Sequence, residues 1–207
     1  MEKTDKFWQW FIDHNEQLTA IGELNDKERT DMLNALQYQL SKYCDGLSCE
    51  MGEATANGRT LTFTAEGDTD LFRNVVELID AAPDIDWWEF VAFKQPLGTE
   101  LKVRFDKYLF DTRKMYFQQL ECEEEPEMLG LRIAVDNPES QTKNSEPDED
   151  FQVGVYVTIE ALIGEFDCAT LIGYIETVPV PEEPFKNGFQ KLDDLPKFVE
   201  WFKAHRD

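Results

Sequence analysis

The chain has 207 residues, 43 of them Asp or Glu and 20 Lys or Arg, giving a formal net charge of −23 and a pI near 4.3. Phosphate backbones and anionic bilayers recruit Lys and Arg, so this balance argues against nucleic-acid and membrane-surface partners. Fifteen Phe, five Trp and 42% apolar residues supply the core that a disordered chain lacks, and the length predicts one domain over residues 1–207.

In chain order, the first helix is predicted from about Lys3 to Ile21, because Phe7, Phe11, His14, Leu18 and Ile21 recur on one helical face. Asn25-Asp26-Lys27-Glu28 has the form of a capping box, and Leu33, Leu36, Leu40 and Tyr43 line the helix that follows it. The period then changes to two: Leu47, Cys49 and Met51, then Leu61, Phe63 and Ala65, alternate with polar residues around Asn57-Gly58, a hairpin signal. A third helix is predicted over Asp70–Ala82, closed by Pro83. The run Trp87–Gln95 reads as a strand apolar enough for a central place in a sheet.

Further strands are predicted at Leu101–Phe105, Lys114–Glu121, Leu129–Val135 and Leu171–Val178, with Phe105–Thr112 open between loop and short strand. Residues Phe151–Ile163 fit a helix through Phe151, Val155, Ile159 and Leu162, and a strand through Val153, Val155 and Val157. The acidic residues before them favour the helix. A last helix runs from Asp193 to about His205. Helices at both termini around a mostly antiparallel sheet make the expected class α+β.

The first residues carry no apolar run of the signal-peptide kind, and no stretch is long enough to span a bilayer, so a cytoplasmic protein is expected. Cys44, Cys49, Cys122 and Cys168 lack redox or zinc-ligand spacing and are expected as reduced thiols. No phosphate loop, nucleophile elbow or metal motif is present, and no cofactor or metal is predicted.

Glu165 and Asp167 lie between two apolar segments, and Glu176 sits in the strand that follows, beside Tyr174. Brought together, these carboxylates would serve as a catalytic acid/base pair or as ligands for Mg or Ca. Solvated or hydrogen-bonded structural roles are the simpler expectation. His14, on the apolar stripe of the first helix, could be a base or ligand, and a hydrogen-bonded, half-buried histidine is the simpler expectation. Trp87, Trp88 and Tyr174 are candidate ligand or partner contacts, although adjacent tryptophans on a strand face opposite ways. The acidic runs around Glu123, Glu124 and Glu125 and around Asp148, Glu149 and Asp150 are candidates for docking a basic protein.

The order WQWF, ELIDAAPDIDWWEFVAFKQP, LIGEFD, IGYIE and LDDLPKFVEWFK resembles a bacterial family of proteins of similar length to which no activity is assigned. The resemblance implies a bacterial cytoplasmic origin and one compact domain, and it transfers no catalytic residues.

Charge then carries the functional expectation. Residues 121–207 hold 21 acids and 7 bases, with no base from 144 to 185, whereas Lys94–Lys114 holds six bases and three acids. The leading expectation is a non-enzymatic interaction module, immunity- or antitoxin-like, that binds a basic protein. The alternative is a small-molecule or metal-assisted enzyme around Trp87 or Trp88, Glu165 and Glu176. A homodimer is a third expectation.

Overall fold

The computed structural model describes residues 2–122, 127–136 and 149–205. Length predicts one domain; the contacts of the folded chain gather into two compact units, Met1–Lys94 and Gln95–Asp207. The boundary falls at the start of the polar, turn-rich segment QPLGTE. The class is α+β, with helices at both termini and mixed or antiparallel sheets.

The first unit contains α1 (Lys3–Thr19), α2 (Asp26–Tyr43), β1 (Ser48–Met51), β2 (Arg59–Thr64), α3 (Phe72–Asp80) and β3 (Trp88–Ala92). The Asn25 side chain accepts from the Glu28 amide at 3.0 Å and Glu28 accepts from the Asn25 amide at 3.3 Å, so the predicted capping box starts α2. β1 and β2 form the antiparallel hairpin. Gly58, at φ +129°, brings its backbone against the Trp87 carbonyl oxygen, which a Cβ would approach to 2.5 Å.

The strand expected at the centre lies on the edge, in the order β1-β2-β3, and pairs parallel with β2. The cause is connectivity. β2 is already paired with β1 on one side, and α3 provides the crossover that a parallel neighbour requires. Phe7, Trp8 and Phe11 of α1 meet Phe63 and Phe90 edge-on, at centroid separations of 5.7 Å for Phe7–Phe63, 4.7 Å for Trp8–Phe90 and 5.2 Å for Phe11–Phe90. Buried Trp8 donates its indole N–H to the Leu78 carbonyl at 2.9 Å, which ties α1 to α3.

The second unit contains β4 (Lys102–Phe105), β5 (Tyr108–Asp111), β6 (Tyr116–Leu120), β7 (Leu129–Ala134), α4 (Glu149–Ile163), α5 (Glu165–Leu171), β8 (Ile172–Val178), β9 (Gln190–Lys191) and α6 (Leu195–His205). The ambiguous Phe151–Ile163 is helix, with Phe151, Val155, Ile159 and Leu162 buried, and the segment after Phe105 pairs as β5. β4 and β5 form a two-stranded sheet, and a second sheet has the order β8-β7-β6-β9, parallel only at β7–β8. Its inner residues Phe117, Leu129, Leu131 and Ile133 share one core with α4, α5 and α6. Among the described residues no helix is long and apolar enough to cross a membrane.

Gly154 in α4 shows how close this packing is. A Cβ there would collide with the Phe110 ring, lie 2.7 Å from its Cζ and 3.2 Å from the Phe105 Cβ. G154A is therefore expected to cost roughly 1–3 kcal/mol by overpacking. G22A, at a site with nothing within 4 Å and no positive φ, is expected to be neutral or to stabilise by about 0.4–1 kcal/mol. Urea denaturation of the two variants distinguishes the packing effect from a general glycine effect.

Candidate functional site

The pleat of β7 sends Leu129, Leu131 and Ile133 inward and Gly130, Arg132 and Ala134 to the opposite face. Arg132 stands beside Gln118 of β6 and Glu176 of β8 in the strand registers. Its Nε and one terminal nitrogen donate to Glu176 Oε2 at 3.1 and 2.9 Å, and its other terminal nitrogen donates to Gln118 at 3.3 Å. The pair is part-exposed, 35% for Arg132 and 45% for Glu176, so it contributes at most about 1 kcal/mol to stability while fixing orientation.

Around it the chain forms an open trough of about 430 Å³, with Val178, Pro179, Pro181 and Phe189 as its apolar lining. Tyr174 extends the same face beyond the trough. Its ring covers Gly130, where a Cβ would fall 2.5 Å from the ring carbons, and its hydroxyl donates to the Glu121 carbonyl at 3.1 Å. A bulge sets this up. Ile172 and Ile175 both pack on the core although they are three residues apart, and the register shift at Gly173 supplies the extra residue this needs. Exposed Glu121, Glu127 and Asp136 mark the ends of β6 and β7, and exposed Glu182 and Glu183 lie in the loop after β8.

The predicted site residues are dispersed. Glu176 and Tyr174 share the outer face of this sheet. Glu165 opens α5 and is fully buried, while Asp167 accepts from Lys203 of α6 at 2.8 Å. That contact, with a second from Glu200, holds the Lys203 ammonium above its ordinary pKa. Among the described residues no group of three metal-ligating side chains gathers.

Trp87 and Trp88 belong to the first unit. Trp88 is half-buried and donates to Asn15 at 2.7 Å, a packing role, whereas Trp87 is 41% exposed and has a positive φ of 80°. Glu149 and Asp150 are exposed in the first turn of α4, and Glu123, Glu124, Glu125 and Asp148 lie outside the described residues. His14 donates from Nδ1 to the Trp10 carbonyl at 2.8 Å and stacks on that indole, as expected for a structural histidine.

The basic stretch is divided between the units and partly neutralised. Lys94 pairs with Glu66 at 2.6 Å in the first, and Arg113 pairs with Asp111 at 2.7 Å in the second. Arg132 and Gln118 were not anticipated. The available signal was one charged residue inside an apolar alternating strand, LGLRIA.

All four cysteines are free. Burial pushes the Cys168 thiol up to about 12, against the hydrogen bond it receives from Tyr156, and burial with a contribution from Glu50 pushes Cys49 up to about 12. Both are protonated at neutral pH, the opposite of an activated nucleophile. No family model, curated protein or solved structure matches this chain.

Two expectations follow from these ionisation states. Iodoacetamide at pH 8 should leave Cys49 and Cys168 unmodified in the native protein and alkylate both in denaturant, read by peptide mass spectrometry. The Arg113 hydrogen bond lowers the Asp111 carboxyl to about 2. A depressed folded pKa means that the stabilisation is complete above the ordinary aspartate range and lost as pH falls toward 2. A carboxyl NMR titration should place Asp111 there, and R113Q should return it toward the ordinary range.

Proposed function

We propose that this chain is a binding protein rather than an enzyme, and that it engages a basic protein partner in the bacterial cytoplasm, as an immunity protein or antitoxin does. The observation that supports this reading best is the open outer face of the β8-β7-β6-β9 sheet. It offers exposed aromatic surface at Tyr174 and proline surface at Pro179 and Pro181, and the carboxylate of Glu176 held in a fixed orientation by Arg132. Apolar contact surface with an acidic rim matches the anatomy of a protein interface. Negative charge at Glu121, Glu127, Asp136, Glu182 and Glu183 accelerates encounter with a cationic partner. The protonated state of Cys49 and Cys168 and the ion pairing of Asp167 and Glu176 also favour binding over catalysis.

The test uses a fluorescent lysine-rich peptide, titrated into the whole protein at low and high salt and followed by anisotropy. Two triple variants lose the same charge: E121Q/E127Q/E176Q on the proposed face, and D31N/E53Q/D84N at exposed positions of the first unit. The first is expected to weaken binding roughly tenfold or more, on the scale of three lost charge contacts, and the second by less than about twofold. Equal weakening by the two would mean that net charge alone attracts the peptide, and would overturn the assignment to this face.

A further inference from the structure

The first unit holds 19 acids and 8 bases. Three of its bases have partners in ion pairs: Arg29 with Asp26, Arg73 with Glu77, and Lys94 with Glu50 and Glu66. Five form no ion pair among the described residues, and three of these five, Lys3, Lys6 and Lys42, line one cleft between the start of α1 and the end of α2. Its volume is about 320 Å³, and Gln39, Phe7 and Tyr43 complete the lining.

Helix electrostatics accounts for part of this arrangement. Lys42 lies in the last turn of α2, where the dipole favours a cation, and Lys3 Nζ donates to the Tyr43 carbonyl at 3.3 Å at that helix end. Lys42 Nζ also sits 4.0 Å above the Tyr38 ring centroid. Lys3 and Lys6, however, occupy the first turn of α1, where the dipole favours anions and opposes an ammonium group. Glu2 and Asp5 are engaged with each other's backbone amides in a capping box at the same end. Two lysines stand where their own helix disfavours them, and a third reaches the same cleft from α2.

We infer that this cleft is a binding site for a small phosphoryl-bearing anion. Lysine ammonium groups are compact point charges that can surround a tetrahedral oxyanion from several directions, whereas planar carboxylates are matched by the arginine fork. The Gln39 amide adds a neutral donor, and Tyr43 and Phe7 supply apolar wall. The volume is at the lower end for small-molecule pockets, which selects a phosphorylated small molecule or pyrophosphate over a polymer. The negative charge of the rest of the unit opposes every anion in proportion to its charge, so occupancy depends on direct contact with several ammonium groups at once.

Pyrophosphate is the probe, titrated calorimetrically into the full chain at low ionic strength, with citrate as the carboxylate comparison. Saturable binding at one site per chain is expected, with citrate weaker by roughly tenfold. K3Q, K6Q and K42Q should each lower affinity by roughly three- to tenfold, as loss of one charged contact does. K27Q, which removes an exposed lysine that does not line the cleft, should leave affinity unchanged. Amide shifts in a ¹H–¹⁵N spectrum should centre on residues 3–7 and 39–43.

All four lysines are exposed, so the variants are expected to keep the fold, and unchanged unliganded melting checks this. Absence of saturable binding overturns the proposal. So does equal weakening by K27Q and K42Q, citrate binding as tightly as pyrophosphate, or shifts centred elsewhere. The result is independent of the lysine-peptide experiment, whose variants leave these lysines untouched.

Discussion

Leu129, Leu131 and Ile133 leave β7 on one side and are fully buried, and the same pleat turns Gly130, Arg132 and Ala134 to the other. Burying each of the three apolar side chains is worth about 1.5–3 kcal/mol. A slip of one residue would expose all three and drive the Arg132 guanidinium into the core, so the register is strongly determined. The position of Arg132 beside Gln118 and Glu176 therefore follows from the core on the far side of the sheet. The bulge at Gly173 brings Ile172 and Ile175 to that core and places Tyr174 over Gly130.

The units also change the meaning of the charge distribution. Divided at residue 120, the acidity appears concentrated toward the C-terminus. Divided where the structure divides, the first unit holds 19 acids and 8 bases and the second 24 and 12. Both are strongly acidic, so bulk charge does not distinguish them. What distinguishes them is where the bases are used. In the second unit Arg132, Arg113 and Lys203 are each paired with carboxylates, while in the first three lysines collect at one cleft without such partners.

Features set by neighbours in sequence were legible in advance. The Asn25–Glu28 box, the Asn57-Gly58 hairpin and the acidic start of α4 depend on local hydrogen bonds, φ preference and the helix dipole, all encoded within a few residues. Features set by distant partners were not. The parallel pairing of β3 arises from the α3 crossover, and α5 is only seven residues long, too short for a helical period to emerge from GEFDCATL. Glu176 and Tyr174 could be selected as polar and aromatic residues in a strand. Their partners Arg132 and Gly130 lie 44 residues away and are specified by parallel register alone. Glu165 and Glu176 are eleven residues apart, but burial differs between them: Glu165, at the start of α5, is sealed in the core and Glu176, within β8, is on the open face.

A chain with this much negative charge attracts cations over its whole surface, and that attraction is screened and unspecific. Selectivity needs groups whose positions do not relax when a ligand arrives. The outer sheet face has such groups because strand register and the Arg132 bonds hold Glu176, and the packing of Tyr174 on Gly130 holds its ring. The lysine cleft has a milder form of the same property. Lys3 is bonded to a backbone carbonyl and Lys42 lies over an aromatic ring, so part of their side-chain entropy is already lost in the folded chain. In both places secondary structure fixes where a charged group stands. These positions, rather than the long acidic runs, are where substitution should alter recognition more than it alters net charge.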